Sequence, residues 1–219
     1  TETDAVDDHY LNSIIVTDAD HETTDVSHVI DGQQRLLTSN LLANEILRTA
    51  FEFEDDDDDG NVGYLKDQID RKLFTDVFKR SGRAQQRRVL PADEHREIFE
   101  RLVPTDIEAD RDLEGVESDA DSPSEEKLYG AVETIDSRLE TLLETHTNGT
   151  TQDKLLFLNR LASTLHSAFT ATLHEVDNPS EAGRIFEAIN DRGRNLNRAD
   201  KIKSYLVYRA TLGDVSINV

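Results

Sequence analysis

Cysteine is absent from this 219-residue chain. Disulfides, thiolate metal sites and cysteine nucleophiles are therefore excluded together, and redox chemistry says nothing about compartment. Methionine is absent too, and the first residue is Thr1, so the sequence is expected to be a piece of a longer protein. No apolar run approaches the roughly 18 residues a membrane span requires, and no basic segment leads into a short apolar stretch as in a secretory signal. The expectation is a soluble, cytoplasmic protein without a membrane partner. Seven histidines are scattered without the three- or four-residue spacing beside an acid that a zinc site wants. Neither a P-loop lysine motif nor a serine or threonine nucleophile with its base is recognisable, and no internal repeat appears at solenoid spacing.

What the chain has in excess is acid. Asp plus Glu number 46 against 24 Lys plus Arg, a formal net charge of -22 spread along the whole length, and only seven of the 24 basic residues are lysines. Such a chain repels itself in dilute buffer. Weakly hydrated arginine combined with excess carboxylate suits molar salt, where the Debye length falls to about 3 Å, so a halophilic source, an archaeon, is expected. An acidic partner-binding surface or a nucleic-acid mimic is the alternative, and the diffuse distribution argues against it. The lack of a basic patch does not exclude DNA, because the phosphate-neutralising contribution to binding is much reduced at high salt.

Along the chain, residues 10–17 (YLNSIIVT) and 26–30 read as two short strands joined by the polar stretch 18–25, a hairpin. From Gly32 the pattern changes to Leu36, Leu37, Leu41, Leu42, Ile46 and Leu47, a helix with one apolar stripe. Residues 51–60 hold five consecutive aspartates and read as a solvated loop, since a calcium loop needs alternating ligands, a glycine and a closing glutamate at fixed offsets. Leu65, Ile69, Leu73, Phe74, Val77 and Phe78 predict a second helix, and residues 92–103 a third, ended by Pro104. Residues 105–124 are acidic, short of large apolar side chains, and read as a mobile connector. Helices follow over 125–145 and 153–170, then a strand-like stretch over 171–176. A further helix over 181–189 has Asn178 or Ser180 as its N-cap, and a last one spans about 197–208. The fold class is α+β, mostly α: a small N-terminal hairpin or sheet with a strand-turn-helix, then a helical bundle part. The domain reading is 1–104, a connector over 105–124, and a helical part over 125–219.

The junction Asp31-Gly32-Gln33-Gln34-Arg35 is the chemically suggestive turn. A strand feeding a helix through Asp-Gly leaves backbone N–H groups at a helix start, where partial positive charge favours phosphate. Gly32 lets a ligand approach the backbone. Gln33 and Gln34 add amides, and Arg35 can clamp phosphate through two parallel hydrogen bonds. Asp31 is placed to hold a metal ion or position a water. Spacing alone favours an N-capping aspartate followed by an ordinary polar helix start with a solvent-exposed arginine.

VIDGQQRL followed by Thr38 and an apolar helix resembles the signature of the N-terminal domain of GmrSD-type, modification-dependent restriction proteins. The usual continuation there is a pair of threonines, where this chain has Leu37 before Thr38. A second match lies in FEAINDRGRNLNRADKIKSYL: Phe186, Asn190, Arg192, Gly193, Leu196, Asp200 and Lys203 fall in the family's later pattern and in its order. Read as plain structure, that segment is a helix corner with Gly193 as a left-handed C-cap, Leu196 packing inward and Asp200 and Lys203 paired three apart. RRVLPADEHREIFERLV also falls where relatives carry a comparable helix, so the resemblance covers most of the chain. The family's extreme N-terminal segment is missing from this sequence.

The resemblance implies a fold similar to the ParB and sulfiredoxin nucleotide-binding scaffold. It also implies binding and hydrolysis of a nucleoside triphosphate with Mg²⁺, and work alongside a nuclease module on DNA, modified DNA in particular. Asp31 and Arg35 are then the catalytic candidates, Asp31 doubling as metal ligand. Gly32, Gln33, Gln34, Arg35, Thr38, Asn190, Arg192 and Lys203 are the nucleotide-binding candidates. The His-Asn-His pattern of the nuclease module is absent, so this chain is not expected to cut DNA alone. Two further readings remain open: a non-catalytic module that recognises modified DNA or a partner nuclease, and a folded but inert piece.

Overall fold

The computed structural model describes residues 9–18, 27–79, 82–91, 93–105, 113–119 and 122–177, with Glu181 and Ile185. Two compact units emerge: Gln34–Phe169, grouped with Thr1–Asp8, and His9–Gln33 together with Thr170–Val219. The architecture is α+β and mostly helical, with a small three-stranded sheet.

The sheet belongs to the second of these units. Strands β1 (His9–Asp18) and β2 (Ser27–Asp31) pair antiparallel, as their β-branched and apolar residues predict. Strand β5 (Phe169–Val176) lies on the other side of β1, giving the order β2-β1-β5. A hydrogen bond of 2.9 Å between the Tyr10 hydroxyl and Thr172 Oγ1 links the two across the sheet. Ile15 and Val176 are buried, with Ile185 packed against them.

The helical unit starts with α1 (Gln33–Phe51), whose stripe Leu41, Ala43, Ile46, Leu47 and Ala50 enters one continuous core. A short 3₁₀ turn (Glu54–Asp56) leads to α2 (Asn61–Leu73). There follow α3 (Asp93–Leu102), α4 (Leu113–Asp119), α5 (Pro123–His146) and α6 (Thr151–Ser167). Helix α5 opens with a capping box: Ser122 Oγ accepts from the Glu125 backbone, and the Ser122 backbone donates to the Glu125 carboxylate. Pro123 occupies the first helical position, where its missing N–H costs nothing.

Two departures from the sequence reading stand out. The second helix stops at Leu73, and Phe74 turns extended (φ -126, ψ 157) into a hairpin, β3 (Phe74–Lys79) with β4 (Gly82–Arg87). Phe74, Val77 and Phe78 fit helical spacing, but aromatic and β-branched residues before a Ser-Gly step favour strands equally, and pairing decides. Arginines at the end of β4 then close two helix C-termini. Arg87 donates to the carbonyls of Val103 and Glu100, and Arg88 to those of Arg71 and Phe74, satisfying last-turn acceptors that the helix dipole makes negative.

The second departure is in residues 105–124. Within that stretch Leu113–Asp119 form α4, with Val116 fully buried, so these seven residues are anchored where a mobile connector was expected. One buried valine, Leu113 packed on the core and the Arg101–Asp119 ion pair at 2.7 Å suffice to dock two turns. Composition understates such a segment because it averages the docking residues with their acidic neighbours.

Candidate functional site

The turn predicted at residues 31–35 forms as strand, glycine and helix. β2 ends on Asp31, Gly32 follows with φ +99, and α1 begins at Gln33. A positive φ of this size is strained for any residue with a Cβ. Space is tight as well: a Cβ on Gly32 would lie 3.0 Å from Ile14 Cγ1, which would have to give by a few tenths of an ångström, and 3.4 Å from the Ile14 Cα in the neighbouring strand. Glycine is thus favoured by conformation, and its close approach to β1 adds to that preference.

Just before this turn the β1–β2 register slips. Val16 faces Val29 while Ile15 faces Asp31, so Ile30 is the residue skipped. A bulge at this place re-aims the strand as it enters the turn, which is how bulges commonly serve next to functional loops. Asp31 is half-buried at the strand end. The position immediately before the first helical residue is Gly32, which has no side chain, so Asp31 stands one residue outside the usual capping position.

Gln33 is exposed, yet its side-chain amide is spoken for: Nε2 donates to the Val29 carbonyl at 2.7 Å, tying the helix start back to β2. Gln34 is exposed and Arg35 half-buried. Ser39 Oγ and Asn40 Nδ2 donate to the carbonyls of Arg35 and Leu36, so the polar residues after the motif fold back onto the helix itself.

Thr38, exposed one turn further on, lines a groove of about 660 Å³. Its other wall is α5, chiefly Pro123, Lys127, Gly130, Ala131 and Ile135. Nothing local in the sequence pairs Thr38 with Gly130; only the packing of the helical unit does. Asn190, Arg192, Lys203 and Asp200, with Phe186, Gly193 and Leu196 of the same motif, lie outside the described residues.

The aspartate run does more than face water. Asp57 Oδ2 accepts from the Val62 backbone at 2.8 Å and Oδ1 from Asn61 Nδ2 at 3.1 Å, standing in for the cap that Gly60 cannot provide to α2. Burial pushes the Asp57 carboxyl up, but these hydrogen bonds outweigh it and hold the group below its ordinary value. Asp59 accepts from Gln152 of α6 at 2.7 Å. Among the described residues no group of three or more His, Asp or Glu is arranged to hold a metal ion. Among them, too, no helix is long and apolar enough to cross a membrane.

Comparison with known proteins adds one match. A family model described as the GmrSD restriction endonuclease, N-terminal domain, matches residues 3–207. No curated protein matches the chain.

Proposed function

Since the chain belongs to the GmrSD restriction endonuclease N-terminal domain family, we propose that it is a regulatory domain that binds and hydrolyses a nucleoside triphosphate at residues 31–35. Membership itself supports a role in restriction-type defence and an interaction with DNA. The finer reading adds three elements: the nucleotide with Mg²⁺, a nuclease module elsewhere in the assembly, and modified DNA as the target.

In this reading the backbone N–H groups at the start of α1 and the Arg35 guanidinium hold the phosphates. Gly32, with its positive φ, turns the chain from β2 into that helix start. Mg²⁺ takes only one or two protein carboxylates, the rest of its shell being water and substrate phosphate, and Asp31 fits as such a ligand at the strand end. A bound Mg²⁺ would neutralise charge on the phosphates. Arg35 would stabilise charge on the transferred phosphoryl group, and Asp31 would alternatively orient the attacking water. Asn190, Arg192 and Lys203 would support the site from the C-terminal part of the chain, and Thr38 from the next turn of α1.

The observation that best supports this reading is the strand-glycine-helix turn, with Gly32 buried at φ +99 and set closely against Ile14. An ordinary polar helix start needs no such constraint. The test is phosphate release from several nucleoside triphosphates with magnesium in molar potassium chloride. Arg35→Ala and Asp31→Ala are expected to lose turnover at least about 100-fold, the scale for removing a positioned charge-stabilising group. Equal turnover in wild type and both variants sinks the catalytic claim. Salt-tolerant binding to modified DNA, with a melting temperature that no nucleotide shifts, points instead to a non-catalytic reader.

A further inference from the structure

We infer that the groove between the first turns of α1 and the exposed side of α5 receives the nucleoside portion of the nucleotide, base and sugar together. The inference rests on the proposed function, because it takes the phosphates to lie at the α1 start.

Position is the first argument. Thr38 stands three residues after Arg35 and four after Gln34, so all three share one side of α1, separated by about 4.5–6 Å of helical rise. The cationic helix start and the groove are consecutive stations along one helix. A ligand with an anionic tail and a flat, weakly polar head matches both in that order.

The lining is the second. Pro123, Ala131 and Ile135 offer apolar wall, and Gly130 offers bare backbone. A Cβ added at Gly130 would meet nothing within 4 Å, so the missing side chain leaves open space that a planar ring can fill. Thr134 Oγ1 spends its hydrogen on the Gly130 carbonyl at 2.7 Å, which leaves Thr38, Lys127 and Glu126 as the polar rim. The groove is wide open to solvent and mostly apolar with a few polar groups at its rim, and its volume of about 660 Å³ lies within the range of roughly 300–1,000 Å³ usual for small-molecule sites.

Charge is the third. With a net charge of -22 the chain as a whole repels polyanions, so a nucleotide needs local cations. Lys127 on the groove and Arg35 at the helix start supply one at each station. Glu126 can accept from ring or exocyclic N–H groups, a contact open to a base and repulsive to a bare phosphate.

The experiment measures binding of ATP, GTP and inorganic tripolyphosphate to the full chain in molar potassium chloride. Wild type is compared with Gly130→Leu, Gly130→Ala and the control Gly63→Leu, since a Cβ at Gly63 on α2 also meets nothing within 4 Å. Filling the groove with leucine is expected to weaken both nucleotides by at least about tenfold, the scale on which pockets discriminate by size. Alanine should weaken them less, tripolyphosphate should bind unchanged, and Gly63→Leu should match wild type. Should Gly130→Leu fail to fold, the smaller loss in Gly130→Ala decides, because alanine raises helix propensity at that position. Unchanged nucleotide binding in the Gly130 variants, or equal weakening of tripolyphosphate, overturns the inference and leaves the phosphate site standing. If wild type binds neither nucleotide nor tripolyphosphate, the proposed function falls, and the groove assignment with it.

Discussion

Between Gln34 and Phe169 a single cluster contains Leu41, Ile46, Leu47, Leu65, Phe99 and Leu102, all fully buried. Among the described residues of the sheet unit the comparable cluster is Ile15 and Val176, while Tyr10, Ile30 and Leu173 are exposed. Each fully buried side chain of leucine size contributes about 1.5–3 kcal/mol of transfer free energy. The helical unit is therefore governed by volume. In the described residues of the sheet unit the contacts are more of backbone fit: the β1–β2 ladder, its bulge, and Gly32 set closely against Ile14. The difference teaches where each kind of change should register, with lost methylenes mattering in one unit and a lost conformation in the other.

The largest expected effect tests the volume side. Leu47→Ala should lower stability by about 2–5 kcal/mol, as large-to-small changes in closed cores do. Leu173→Ala, at a side chain 55% exposed in β5, should stay within about 0.5 kcal/mol. Urea unfolding of both variants in molar potassium chloride gives the comparison, and a Leu173 cost matching that of Leu47 breaks it. The backbone side comes next. Gly32→Ala should cost about 1–3 kcal/mol, the range for forcing a residue into a sparsely populated conformation, with the Ile14 contact adding to it. Hydrogen exchange should show protection lost from β1 and β2 well before α5 or α6. Even loss across both units would contradict the account.

What the sequence made legible follows the range of the interactions involved. Apolar periodicity marked α1 through Leu41, Ile46 and Leu47, and residues 125–145 and 153–170 came within a few positions of α5 and α6. β-Branched and apolar content marked the first hairpin, and Gly32 was singled out at the turn, though for ligand approach and not for the positive φ it adopts. Pairings between distant segments were not legible. The β3–β4 hairpin was hidden because Phe74, Val77 and Phe78 fit helical spacing while their residue types suit a strand equally well. The place of β5 beside β1 depends on residues far apart in the chain, as does the meeting of Thr38 with α5. At the candidate site the turn itself was readable, but the tie of Gln33 to Val29 was not, since that hydrogen bond depends on where β2 ends.

The smallest effect asks whether the helical unit also depends on its helix ends. Gly60, the residue before α2, has no side chain to cap with, and Asp57 takes over by accepting from the Val62 backbone at 2.8 Å. Removing a capping acceptor costs about 1 kcal/mol, so Asp57→Ala should destabilise by that amount near neutral pH. The Asp57 carboxyl is held below its ordinary value in the folded chain. Stability contributed by a depressed carboxyl is present above the unfolded-state value and lost as pH falls through the folded-state value. The gap between wild type and Asp57→Ala should therefore be constant at neutral pH and shrink below about pH 4. Asp57→Asn, which keeps an acceptor but not the charge, should fall between them at neutral pH. Urea midpoints for the three proteins across the acid range provide the check. A gap that widens on acidification would mean that Asp57 holds the helix by something other than its ionised carboxylate.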